Sequence, residues 1–578
     1  MKQEALWISD KGWIKDSFGR VRLLRGVSVS ALARTTGRPF PEEEADAHFM
    51  RLSQAGCTFL RWQLPWSAVE PTGPEEYDEN YLAYLRNLLQ KAEEYNIAVF
   101  IEPFHSSFSQ LEGDGIPDWA LEKVGFNKAA LRSCGAAASD ADGNWKLNLQ
   151  RYAYQTLSTL FFAGGKAAPN FKIEGDSAQY YLQSHFIAAM NHTARRIKDC
   201  RAVAGFAFMN APSAGYIGLS SLDAFQVPLC EEGVMCTPFE GMKAASGYPA
   251  EFKRFVRKEK KGAFIVKEGR AVPVNAAESA SGAGTPGSEG AGIFLPGFSD
   301  PWKAEGVWSD EGGVPVLKRS DYFASLDFTS CWNEFQAFFM EELQKKHGHY
   351  LFFSPLPVAD EHIIQTADWA ASCASVSAPF DAFAATAAQQ ARKSGVPLVV
   401  QGFGTSFNAK NGKAFKTGDY SLQEKEISAF YDALDEKLLS GFLDSYTPTN
   451  TQAAGDGWNG GDTSVWCADT KAFRAEKGFI RPYVMAVAGV PVRMSFYPKG
   501  TGAHKNGPVF EFEWDSTECS PSSGESDTEV FVPKCWFPKG WKVEKFDGAG
   551  ALRDDEVAQR LFVKTLAARR CFLRIISK

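Results

Sequence analysis

The chain has 578 residues, 44% of them apolar and 23% charged, and a formal net charge of −7. That length exceeds one ordinary hydrophobic core and calls for two domains or an enlarged barrel. The dispersed negative charge excludes a nucleic-acid binder, which needs a basic face, and no apolar run approaches the roughly 20 residues of a transmembrane segment.

Residues 1–7 lack the apolar core of a secretory signal. The eleven cysteines are scattered singly, without a Cys-x-x-Cys pair, as free thiols in a reducing compartment would be. The expected location is therefore cytoplasmic. Residues 21–30 read as a first strand, and a helix over about 43–54 stops at Gly56. Residues 57–62 form a second strand leading to Pro65-Trp66 and Glu70-Pro71. Asp78 caps a helix with Leu82, Leu85 and Leu89 on one face and Asn96 at its end. Residues 97–103 are a third strand.

Strand and helix alternating at this spacing predict βαβ units in a parallel sheet. The run Gly205-Phe206-Ala207-Phe208-Met209-Asn210-Ala211-Pro212 reads as a buried strand ending at a barrel mouth. Further apolar runs at 350–353, 362–366, 397–400 and 441–446 bring the count to eight, the number of a (β/α)₈ TIM barrel. Residues 211–332 are expected to be a long loop insertion, with Ala-, Ser- and Gly-rich 276–292 disordered. Beyond about 480 the helical pattern ends, and short runs at 509–514, 529–532, 541–546 and 571–576 predict a small C-terminal antiparallel β-sandwich over 481–578. The barrel is assigned to 1–480.

Several longer motifs follow one another in order. They include Trp66-Ser67-Ala68-Val69-Glu70-Pro71, Leu160-Phe161-Phe162-Ala163-Gly164, Gly215-Tyr216-Ile217-Gly218-Leu219, Thr417-Gly418-Asp419-Tyr420-Ser421 and Thr528-Glu529-Val530-Phe531-Val532-Pro533. In this order they resemble glycoside hydrolase family 5, in the branch of glucosylceramidases, steryl glucosidases and, more distantly, endoglycoceramidases. The resemblance covers nearly the whole chain. It implies a β-glucoside or glycolipid ligand, no cofactor and no metal. It also implies retaining hydrolysis by two carboxyl groups about 5–5.5 Å apart, one the nucleophile and one the acid/base.

Both of those positions depart from the family pattern. The acid/base of its Asn-Glu-Pro strand end falls on Ala211. The nucleophile of its Gly-Glu-x-Gly segment falls on Gly402, within Gln401-Gly402-Phe403-Gly404. Three neighbouring motifs have drifted as well, to Phe104-His105-Ser106, Asp368-Trp369-Ala370-Ala371 and Trp458-Asn459-Gly460-Gly461-Asp462.

The resemblance assigns Arg61 to the family's arginine beside the nucleophile and Asn210 to its ligand of the sugar 2-hydroxyl. It makes Trp66, Trp119, His105, Trp369, Trp458 and Asp462 candidates for lining a sugar subsite. Plainer roles remain open: a strand-end ion pair for Arg61, a loop aromatic for Trp458, a hydrogen-bonded structural histidine for His105.

Three readings result. The chain is a catalytically degenerate glycosidase that keeps a glycoside pocket, an active hydrolase with carboxylates relocated to Glu102, Asp368 or Asp462, or a scaffold for an unknown protein partner. Glu102 and Asp368 are the acids expected at strand ends near Arg61, and one of them is expected to accept its hydrogen bond.

Overall fold

The computed structural model describes residues 6–9, 11–29, 36–104, 115–138, 145–209, 212–225, 233–260, 263–274, 292–354, 362–369, 380–456, 461–502, 504, 507–517, 527–548, 550–565 and 569–578. Eight parallel strands close a barrel: β1 (Arg25–Val29), β2 (Phe59–Pro65), β3 (Ala98–Phe104), β4 (Val203–Ala207), β5 (Leu351–Ser354), β6 (Ile363–Asp368), β7 (Leu398–Phe403) and β8 (Ser440–Tyr446). Each pairs with its neighbours in sequence, and β8 closes on β1. All eight expected strands are present.

The outer layer includes α1 (Ala45–Gln54), α2 (Glu79–Glu94), α3 (Tyr152–Ala167), α4 (Ala178–Arg196), α5 (Phe328–His347), α6 (Phe380–Ser394) and α7 (Ser421–Lys437). Asp78 caps α2 by accepting from the Tyr81 amide at 2.9 Å, and Leu82, Leu85 and Leu89 form its buried face.

Alternation along the strands stacks the barrel interior in layers. Phe59, Phe100, Phe353 and Phe442 point inward from β2, β3, β5 and β8, in one cluster with Leu24, Val399 and Ile364. Phe100 stacks on Phe353 at 4.3 Å, and Phe59 lies 5.3 Å from Phe442. This floor leaves no room for a ligand. Two residues further along β2, β3, β7 and β8, the same inward face carries Arg61, Glu102, Gln401 and Asp444. The barrel therefore changes from hydrocarbon to charge within one layer, toward the C-terminal ends where barrel enzymes place their chemistry.

The described structure differs from the sequence expectations in two places. The first expected strand is split: Val21–Arg22 pairs with Tyr483–Val487 in the C-terminal sheet, and only Arg25–Val29 enters the barrel. The apolar run at 21–30 is continuous in character, so composition hides the change of partner. The expected loop 211–332 carries regular structure: a helix at Pro238–Ala245 and a three-stranded antiparallel sheet of Gly233–Met235, Ala250–Lys260 and Ala263–Val274. Its long hairpin forms where apolar and charged residues mix over Ala250–Lys260, a pattern consistent with a sheet open to water on one side. Residues 276–291 lie outside the described residues.

Beyond 480 lie two antiparallel sheets, one of four strands (Val490–Tyr497, Val509–Asp515, Arg570–Ser577, Trp541–Asp547) and one of seven that also takes in the three N-terminal strands. Val484, Val530 and Val563 of one sheet share a hydrophobic cluster with Phe512, Trp514 and Leu573 of the other. Tyr483 donates to the Gly56 carbonyl at 2.8 Å, fastening this unit to the barrel.

Candidate active site

At the barrel mouth Arg61 is held on three sides. Its Nε donates to Glu102 Oε2 at 2.6 Å and its Nη2 to Glu102 Oε1 at 2.5 Å, a bidentate pair between neighbouring strands. Nη1 donates to Ser28 Oγ on β1 at 3.3 Å and lies 3.7 Å from Asp444 Oδ1 on β8. Arg61 and Glu102 are both buried. A buried guanidinium needs such a partner, because an isolated charge there costs several kcal/mol. Of the two acids expected to serve it, Glu102 is the one that accepts.

Asp444 is the residue that sequence reasoning missed. Burial pushes its carboxyl up from 3.8 to about 6 against the pull of Arg61, and the charges of Asp368 and Glu102 push it further. Its Oδ1 accepts no hydrogen bond, and neither does Gln63 Oε1 on the inward face of β2. A charged residue inside the buried run Gly441-Phe442-Leu443-Asp444-Ser445-Tyr446, two places after an inward Phe, was the available signal.

Asp368, the last residue of β6, pairs in register with Gln401 of β7. Its carboxylate lies against Gly402. A Cβ built on Gly402 would stand 2.2 Å from Asp368 Oδ1 and 2.7 Å from its Cγ, and Gly402 has a φ of 69°. The chain thus brings Arg61, Glu102, Asp444, Asp368 and Gly402 to one mouth.

Four other candidates are placed elsewhere. Trp66 is fully buried and donates its indole N–H to Glu70 Oε2 at 2.6 Å, so it packs the protein and lines no subsite. Trp119 donates to the Glu70 carbonyl at 2.9 Å and meets Trp66 edge-on at 5.4 Å. Both were candidates through the family resemblance, and their rings turn into the helical layer.

Asp462 is buried and committed to Arg474, at 2.8 and 2.5 Å, with a third bond from Asn450 at 3.0 Å. That arrangement engages both of its carboxylate oxygens within the protein. Trp369 follows the inward Asp368 and so faces outward, packing 5.3 Å from Phe380 and 5.2 Å from Phe383 of α6. His105, Asn210, Ala211 and Trp458 lie outside the described residues.

Comparisons with known proteins agree with this architecture. Residues 481–570 match the glycoside hydrolase family 5 C-terminal domain. A glucosylceramidase of Rhizopus delemar is 27% identical, over 93% of this chain and 90% of the relative. An ergosteryl-beta-glucosidase of Saccharomyces cerevisiae is 24% identical, over 80% of this chain and 76% of its own. The crystal structure of Cryptococcus neoformans sterylglucosidase 1 shares the fold with a TM-score of 0.83, covering 100% of this chain and 98% of its own at 20% identity. The chain is a glycoside hydrolase family 5 homologue, similar along most of its length to glucosylceramidases and steryl glucosidases.

Proposed function

We propose that this chain is a catalytically silent member of that group which binds a β-glucoside or glycolipid at the barrel mouth without cleaving it. The observation that carries the reading is the pair Asp368–Gly402. The position assigned to the nucleophile has no side chain, and the space where one would emerge holds the carboxylate of another strand.

Of the other acids weighed as replacements, Glu102 is engaged by Arg61 and Asp462 by Arg474. Retaining hydrolysis requires one carboxylate to attack and a second group to donate a proton. Removing a nucleophile that works with its base costs about 10⁶ in rate in a well-studied hydrolase. Binding survives such a loss more easily than catalysis. Unmet acceptors on Gln63 and Asp444 suit the hydroxyl donors of a sugar.

The test has two arms. Purified protein is incubated with an aryl β-glucoside, with glucosylceramide and with a steryl glucoside, and the same lipids are titrated calorimetrically. Saturable binding without glucose release is expected. Turnover abolished by Asp368→Asn or Asp444→Asn would replace this reading with relocated catalysis. Absence of both binding and turnover would favour the scaffold reading.

A further inference from the structure

A second cavity lies wholly outside the barrel. Helices α4 and α5 pack side by side, and between them, with Tyr77 at one edge, is a space of about 560 Å³ to which no barrel strand contributes. Its two ends differ in chemistry. At one end Tyr180, 54% exposed, lies beside Phe338 with ring centroids 6.2 Å apart and planes 22° from parallel, and Ile187 continues this apolar shelf. At the other end stand Arg195, Lys346 and His347. From Tyr180 to Arg195 is fifteen residues of helix, about 22 Å.

The basic end carries more positive than negative lining charge. Of the carboxylates, Glu342, which lines the cavity, pairs with Lys345 at 2.8 Å, and Glu79 pairs with Arg196 at 2.6 Å. Neither Arg195 nor Lys346 pairs with a carboxylate among the described residues. Arg195 Nη2 lies 2.7 Å from His192 Nδ1, so that nitrogen accepts and His192 Nε2 donates to Glu79, 2.8 Å away. His192 therefore adds no charge of its own. His347 is 7% exposed, and its Nε2 is buried with no hydrogen-bond partner. Two cations without a carboxylate partner among the described residues, at the end of an apolar shelf, suit a ligand with an anionic head and a hydrocarbon body.

We propose that the groove between α4 and α5 binds a single-chain anionic amphiphile, its phosphate or carboxylate head between Arg195 and Lys346 and its chain along Ile187, Phe338 and Tyr180. The site is independent of the barrel mouth and of what that mouth does. Its length favours a chain over a compact ion, and its volume is that of a small-molecule pocket.

The test titrates the full-length protein with oleoyl lysophosphatidate below its micelle concentration, with oleoyl lysophosphatidylcholine and with inorganic phosphate. Saturable binding of lysophosphatidate is expected, with the other two at least about tenfold weaker, since lysophosphatidylcholine carries no net negative charge and inorganic phosphate carries no chain. Lys346→Gln combined with Arg195→Gln should weaken lysophosphatidate about tenfold or more by removing two charge-assisted contacts, and Tyr180→Ser should weaken it by a smaller factor. Arg195, Lys346 and Tyr180 are exposed, so unchanged melting temperatures will verify that the variants fold. Equal affinity for lysophosphatidylcholine would remove the charge argument, and equal affinity for inorganic phosphate would remove the chain. Binding that is unchanged in the Lys346–Arg195 double variant would place the lipid elsewhere and overturn the site.

Discussion

The carboxylate of Asp368 rests on the Cα of Gly402, 2.2 Å from where a Cβ would stand, so β6 supplies an acid to the point where the family resemblance places a nucleophile on β7. The two positions are coupled. Any side chain at 402 must displace Asp368 and also occupy a φ of 69°, which only glycine adopts without cost.

Restoring the family residue is therefore not a simple reversal. Gly402→Glu should yield no hydrolase activity and should destabilise the fold by about 2–4 kcal/mol, from the positive φ and from two carboxylates forced together. Gly402→Ala should cost about 1–3 kcal/mol, and less of it when Asp368→Ala is present, because the clash is then gone while the backbone strain remains. Urea unfolding of the four-member cycle measures the coupling. Strict additivity would show that Asp368 does not occupy this space.

Arg61 and Glu102 make the second prediction. Both are buried, so Glu102→Gln leaves a guanidinium with its bidentate partner gone, a loss of about 3–5 kcal/mol. Asp368→Asn should cost far less, since Arg61 donates no direct hydrogen bond to it. Replacing both partners, Arg61→Met with Glu102→Leu, should recover most of the loss. Thermal melts rank the variants. A Glu102→Gln protein that melts like the parent would mean that water reaches the pair.

The barrel was legible because its strands are buried on both faces and read as apolar runs, each returning at the spacing of a βαβ unit. The mouth was legible only along the strands. Arg61 and Asp368 were found through the family's motifs and Glu102 as an acid near the end of its apolar run. Asp444 belongs to none of those motifs and was passed over, although it too is a charge inside a buried run. Trp66, Trp369 and Asp462 were misplaced for a different reason: a sequence position near a strand end fixes where the Cα goes, not which way the side chain turns. Trp66 turned into the helical layer toward Glu70, Trp369 outward to α6, and Asp462 toward Arg474, a partner twelve residues on that no local pattern announces. The split of residues 21–30 between two sheets was hidden because strand character does not depend on which sheet a strand joins.

Asp444 carries the last prediction, which concerns pH. Its folded-state carboxyl titrates near 6 and its ordinary value is 3.8, so between those limits the folded protein binds the proton more readily than the unfolded chain. Stability from this group is therefore present at low pH and lost as pH rises through about 6. Full burial would make the shift worth about 3 kcal/mol, and the 31% of the side chain that stays exposed reduces this to about 1–2 kcal/mol. Asp444→Asn does not titrate, so its stability relative to the parent should improve by most of that amount between pH 4.5 and 7.5. The neighbouring charge can be separated from burial. Asp368→Asn removes one of the carboxylates that oppose ionisation of Asp444 and should move the parent's transition to lower pH. Chemical unfolding across that range, on the parent and both variants, gives the three curves. If the Asp444→Asn difference is flat with pH, Asp444 is solvated at the mouth, and the acceptor assigned there to a sugar hydroxyl is already satisfied by water.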